Sequence, residues 1–281
     1  LGKREDLRAL PLITIDGEDA KDFDDAVFAE PIPKNCWRII VAIADVSTYV
    51  QTDDILDREA RQRGNSVYLP GTVIPMLPDT LSNNLCSLLP HEDRACLAVE
   101  IIIDSAGNKQ SHKFFQALIK SSARLTYTFV QQVIEGSFNE ADCDIKPGTL
   151  HHLIDAYRTL HQARIQRGTL NLNLSEARIK FDDTGRPISI AQHHQEEAHQ
   201  LIEEFMIAAN ICAAETLEQA GEMCVYRIHD QPDPEKINSL RELTDALSLT
   251  FAKGQVMTPH RFNELLMKVK DTDSETAVNE A

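Results

Sequence analysis

The chain has 281 residues, 42% of them hydrophobic and 26% charged, enough to bury a sizeable core in one large domain or two modest ones. Asp and Glu outnumber Lys and Arg by 44 to 28, and the resulting charge of −16 speaks against the basic footprint of most nucleic-acid binders. No apolar run approaches the roughly 18 residues of a membrane span, and the polar start (Lys3, Arg4, Glu5, Asp6) is unlike a signal peptide. Six scattered cysteines, with no CxxC pair and no His spaced to complete a zinc site, fit a reducing compartment. The expectation is a cytoplasmic protein with no membrane contact.

Residues 1–10 read as a lead-in segment. Over residues 11–50 the pattern predicts strands and tight connections: residues 26–29 follow an acidic run, 31–35 turn, and 37–45 are β-rich. The short apolar runs at 39–44 and 98–103 read as buried strands. Residues 52–63 predict a charged helix closed by Gly64 in the C-cap region. Pro70, Gly71, Pro75, Pro78 and Pro90 exclude a long helix over 66–90 and predict an ordered loop with short strands. Residues 94–103 and 113–120 alternate as a β-hairpin around the turn at 104–108.

The second half is mainly helical. Residues 128–135 predict a short helix ended by Gly136, and 149–167 a longer one ended by Gly168. Residues 170–174 alternate with strand period, and 177–190 suggest a hairpin over 182–185. The clearest helix spans 195–220, with Ala198, Leu201, Ile202, Phe205, Ala209 and Cys212 on one stripe. Asp233 and Pro234 open another, as N-cap and first helical residue. The polar residues 272–281 are expected to fray. The whole predicts a single α/β domain.

One segment concentrates chemistry. Residues 16–25 hold seven ionisable side chains, six of them acidic, directly after the apolar stretch Leu10-Pro11-Leu12-Ile13. On a solvated loop, water and salt would screen that repulsion. If partly buried, the carboxylates must either take up protons or bind a cation. Asp16, Asp22 and Asp24 are separated by even numbers of residues, so extended backbone aims them to one side. Ile15, Ala20 and Phe23 interrupt them and anchor the backbone, while Gly17 permits a turn. An EF-hand register fails, because Val27 or Phe28 stands where its glycine is required. Hard oxygen donors without His or Cys suit Mg²⁺ or Mn²⁺, and clustered aspartates suit the two-ion arrangement of phosphodiester cleavage. His193 and His194 lack a third ligand at useful spacing and read as a solvated loop.

The run Asp16-Gly-Glu-Asp-Ala-Lys-Asp22-Phe-Asp24-Asp25-Ala26 resembles the signature of the RNB family, the ribonuclease II and ribonuclease R type of exoribonuclease. Further matching segments follow in order: Val41 to Ser47, Ser66-Val67-Tyr68-Leu69-Pro70-Gly71, Ile74 to Pro78, and Leu81 to Leu88. Later come Ala123-Arg124-Leu125-Thr126-Tyr127, Ile202-Glu203-Glu204-Phe205-Met206 and Tyr226-Arg227-Ile228-His229. The resemblance covers nearly the whole chain.

It implies an RNB catalytic-domain fold, a mixed sheet with flanking helices, and Mg²⁺-dependent hydrolysis of single-stranded RNA from its 3′ end to nucleoside 5′-monophosphates. By the same resemblance Asp16, Asp22 and Asp25 hold metal, and Asp24 is the carboxylate most critical to cleavage. Tyr68 stacks on the 3′-terminal base, Tyr127 is an active-site aromatic, and Glu203 contacts the terminal nucleotide. Asp19 reads as a solvated neighbour. No aromatic stands near Arg178 and Ile179, where the family has a second stacking residue. The family's Ser-Pro-Ile-Arg-Arg-Tyr-type segment and its OB-folds do not occur in residues 1–281. The expectation is therefore a C-terminally incomplete RNB domain, weak or inactive alone. The alternative is a non-catalytic RNA-binding or scaffold protein with an RNB-like core.

Overall fold

The computed structural model describes residues 3–69, 71–170, 176–182, 186–193, 195–251 and 258–281. In the first half the elements are β1 (Glu5–Asp6), β2 (Ile13–Asp16), β3 (Asp25–Ile32), β4 (Cys36–Ala44), α1 (Ile55–Arg63), β5 (Val67–Leu69), β6 (Thr72–Ile74), β7 (Asp93–Ile103), β8 (Lys109–Lys120) and β9 (Ala123–Thr126). The second half holds α2 (Tyr127–Ile134), α3 (Thr149–Gln166), β10 (Glu176–Phe181), β11 (Pro187–His193), α4 (Glu197–Ala220), α5 (Pro234–Ala246), α6 (Pro259–Val269) and α7 (Glu275–Glu280).

Seven strands form one mixed sheet in the order β1-β8-β7-β4-β3-β2-β9. The inner pairs are antiparallel, whereas β1 runs parallel to β8 and β2 parallel to β9. The continuous apolar runs of β4 and β7 follow from burial on both faces of this sheet. Alternate residues such as Val27, Ile39, Val41 and Ile101 meet Leu153, Tyr157, Leu201 and Phe205 from α3 and α4. Their neighbours Ala26, Phe28, Ile40 and Ala42 face the other way, against Phe23, Leu81, Cys86 and Leu88. The aspartate-bearing loop thus roots Phe23 in a core of its own. The fold class is mixed α/β, as expected.

Several boundaries move for local reasons. The first helix begins at Ile55, not residue 52, because the Asp54 carboxylate accepts the Asp57 N–H at 2.8 Å and caps it there. Gly64 closes it at φ +77°, as predicted. Asp233 caps α5 by accepting the Glu235 N–H at 2.8 Å, with Pro234 in the first turn. Residues 66–90 do form a short hairpin, β5–β6, but also one π-helical turn at Leu81–Leu85 that no sequence signal announced. Correcting the expected fraying, residues 275–280 are helical, with Val278 buried among Leu240, Phe251, Leu265 and Val269. Residues 171–174 of the alternating run, the turn at 183–185 and His194 lie outside the described residues.

Phe205 is fully buried where α4 packs on the sheet. Phe205→Ala is expected to cost about 3–5 kcal/mol, read from the midpoint of denaturant unfolding at unchanged slope.

Candidate metal centre

The acidic run crosses the end of the sheet. Asp16 is the last residue of β2, paired with Thr126 of β9, and Asp25 is the first of β3, paired with Ile43 of β4. The backbone between them is tied at each step. Ala20 N–H donates to the Gly17 carbonyl at 3.2 Å, and Ala44 N–H donates to the Asp24 carbonyl at 2.8 Å. The buried Ser87 hydroxyl donates to the Lys21 carbonyl at 2.8 Å and accepts the Phe23 N–H at 3.1 Å. Leu88 N–H completes this clamp by donating to the Phe23 carbonyl at 2.7 Å. With Phe23 held in the core, strand-like alternation lifts its neighbours Asp22 and Asp24 to the surface of a cavity.

That cavity, about 580 Å³, is lined by Asp16, Asp19, Asp22 and Asp24 together with Ile43, Val46, Tyr68, Val73 and Leu77. The Tyr68 hydroxyl donates to the Asp22 carboxylate at 3.4 Å, while its ring is largely exposed. A second cavity of similar size adjoins the first along the β5–β6 hairpin and shares Asp19, Asp22 and Tyr68 with it. The lining therefore combines negative charge with apolar and aromatic surface.

Electrostatics sets this loop apart from an ordinary solvated one. Burial raises the Asp16 carboxyl pKa, opposed by the Gly17 N–H it accepts and reinforced by Asp22 and Asp24. Burial raises Asp24 in the same sense, with Asp22 adding to it. Asp25 is pushed up to about 7, chiefly by burial and then by the charges of Asp24 and Asp16. Its Oδ2 is buried with no hydrogen-bond partner. A buried carboxylate oxygen without a partner, beside other carboxylates and with no His or Cys donor, fits a hard divalent cation. Among the described residues, no group of three or more His, Cys, Asp or Glu side chains yet closes around one point.

The other expected site residues are distributed around this centre. Tyr127 opens α2 directly after β9, and its hydroxyl is raised by burial and then by the fields of Asp16, Asp25 and Asp24. Its ring stacks on His199 of α4 at 4.1 Å. Glu203 is not on the aspartate cavity. It accepts from Arg164 at 3.1 Å and from Gln195 at 2.7 Å, beside a separate cavity of about 220 Å³. Residues 226–229 lie in an exposed stretch without helix or strand, away from the acidic loop. Asp19, read as a solvated neighbour, is exposed and borders both cavities. Sequence reasoning also passed over Ser87 and Arg124; a serine within the apolar run Leu85 to Leu89 was the one available hint of the former.

The clamp and the buried carboxyl each make a measurable claim. Ser87→Ala leaves the Phe23 N–H and Lys21 carbonyl unpaired and is expected to cost about 1–3 kcal/mol in chemical unfolding. For Asp25 the folded pKa lies above the unfolded one, so its ionised form opposes folding: the penalty is absent in acid, grows as pH rises through the unfolded value, and is complete above about 7. Metal-free Asp25→Asn should therefore melt higher than the parent at about pH 8, with the gap closing toward about pH 4. Equal melting temperatures at the higher pH would contradict this.

The chain matches the model of the RNB domain over residues 4–281. Ribonuclease R of Escherichia coli (strain K12) is 46% identical to it over 274 residues, covering 95% of this chain and 33% of that protein. The chain thus spans about a third of the length of that relative. A solved structure of Mycoplasma genitalium RNase R, in complex with ribose-methylated single-stranded RNA, superposes with a TM-score of 0.93 at 31% identity, over 100% of this chain and 44% of that one. Yeast Ssd1, a pseudonuclease, shares the fold alone, with a TM-score of 0.75 at 17% identity over 99% of this chain and 34% of that one. On the family match and the identity to Ribonuclease R together, the chain belongs to the RNB domain family.

Proposed function

We propose that this chain is the catalytic core of a hydrolytic 3′-to-5′ exoribonuclease that degrades single-stranded RNA to nucleoside 5′-monophosphates. The observation that carries the reading is the meeting of Asp16, Asp22 and Asp24 on one cavity that Tyr68 also lines, with one buried oxygen of Asp25, Oδ2, left without a hydrogen-bond partner at the start of β3. The 46% identity to Ribonuclease R supports the substrate class. A fold shared with a pseudonuclease carries no activity by itself, so the chemistry rests on the aspartates, and all four are present in the sequence.

In this reading Asp16, Asp22 and Asp25 hold a divalent cation, Mg²⁺ with Mn²⁺ able to substitute. Ions held there would supply, in the two-ion arrangement, activation of a water toward phosphorus by one and neutralisation of charge on the leaving oxygen by the other. Asp24 is the carboxylate on which cleavage depends most. Burial raises its pKa toward the range in which a carboxylate is an effective proton acceptor. Tyr68 stacks on the 3′-terminal base, a contact open to any sequence because every base has a π-face. Tyr127 bounds the site from the α2 side. Glu203, one turn beyond His199 on α4, borders a separate cavity and is held by Arg164 and Gln195, so no contact with the terminal nucleotide is proposed for it. The acidic run repels the substrate's phosphates until cations neutralise it, and its six carboxylates and one lysine contribute −5 of the chain's charge of −16.

The test is cleavage of 5′-labelled single-stranded RNA in Mg²⁺. Asp24→Asn is expected to lower the rate by about 10²–10³-fold or more while single-stranded RNA is still bound. Retained turnover in that variant would refute the assignment. With uniformly labelled RNA, release of nucleoside 3′-monophosphates or of internal fragments in place of 5′-monophosphates would refute the reaction proposed.

A further inference from the structure

Arg124 stands at the end of β9 with an exposed side chain that reaches across to the acidic run. Its guanidinium donates to the Gly17 carbonyl at 3.1 Å and, more closely, to the Glu18 carbonyl. The same group lies over the Phe23 ring, 5.0 Å from its centroid. These contacts fall on opposite halves of the loop. Gly17 and Glu18 follow Asp16, whereas Phe23 sits between Asp22 and Asp24. The Ser87 clamp holds only the second half, at Lys21 and Phe23. On the first half, Arg124 is joined by the Thr128 hydroxyl, which donates to the Glu18 carboxylate at 3.2 Å.

We infer that Arg124 is a positioning residue for the metal-binding loop, setting the separation between Asp16 and the Asp22–Asp25 segment by bridging the two halves. Geometry suits arginine to this task and lysine less so. One terminal nitrogen, Nη2, donates to both adjacent carbonyls while the planar guanidinium lies over the Phe23 ring; an ammonium could reach the carbonyls but has no face to lay on the ring. The cation also faces Asp16 and favours its ionised form, but lysine would supply that field as well. The comparison of Lys and Ala at this position therefore separates geometry from charge.

The inference rests on the metal-site reading above, and the experiment keeps the two apart. Mn²⁺ is titrated into the protein without RNA, with free Mn²⁺ followed by electron paramagnetic resonance, for the parent, Asp25→Asn, Arg124→Ala and Arg124→Lys. Melting temperatures are recorded without metal. Because Arg124 is exposed, its truncation opens no core cavity, and melting of both Arg124 variants should stay near the parent's. Their Mn²⁺ affinity is expected to fall about 10- to 100-fold, the usual effect of removing a group that orients metal ligands. Parental affinity in Arg124→Ala, or full recovery in Arg124→Lys, would overturn the positioning role while leaving the metal site standing. A parent protein whose Mn²⁺ binding is absent, or is unaffected by Asp25→Asn, would overturn both. A loss of affinity matched by collapse of the fold in both Arg124 variants would reassign Arg124 to stability alone.

Discussion

Carboxylates crowded at the end of a buried sheet repel one another, and the rest of this structure is organised around holding them there. Left free, residues 16–25 would relax toward solvent. Ties from several elements prevent it: Ala44 of β4 on Asp24, Ser87 and Leu88 on Lys21 and Phe23, and Arg124 of β9 on Gly17 and Glu18. Most of these are hydrogen bonds to backbone, so they constrain the path of the loop while leaving the carboxylates themselves to bind something else. The pKa values of Asp16, Asp24 and Asp25 are raised first by burial and then by the charges of their neighbours.

The double burial of the sheet makes that arrangement stable. One face is covered by α2, α3 and α4, the other by the loops and short elements of residues 45–90. A sheet packed on both sides cannot shift to relieve the charges at its end. Phe23 joins the second core, so the loop carrying the aspartates is part of the hydrophobic packing. The buried pair of Arg4 and Asp45, 2.6 Å apart, fixes the segment that follows β4 beside the same cavity. Burial alone would raise the Asp45 pKa, but hydrogen bonds from Ser47, Arg4 and Thr48 more than offset it and hold it below the usual carboxylate range. The contrast with the raised aspartates a short distance away is one of pairing: Asp45 has cationic and hydroxyl partners, whereas Asp25 has an oxygen with none.

Much of this was legible from residue order. The glycine-closed helices, the hairpin of β7 and β8 and the capped start of α5 follow from local rules that involve only neighbours. The aspartate spacing announced a shared side, and the motif order announced the family. The π-helical turn at Leu81–Leu85, the helix at residues 275–280 and the place of Asp19 were not legible. Each depends on partners distant in sequence: Val278, for instance, is buried by Leu240, Phe251 and Leu265.

The sequence by itself determined the chemical character of this protein: hard oxygen donors in a dense run, aromatic residues in the motifs that follow, and continuous apolar runs suited to strands covered on both faces. Those properties are local, because they depend on side-chain type and on spacing along one strand. Only the tertiary structure decided which charges are paired and which are stranded, that Glu203 answers to Arg164 while Asp19 borders the cleft, and that Arg124 joins the two halves of the acidic loop. Burial and long-range hydrogen bonding are sums over residues scores of positions apart, and no window of sequence contains them.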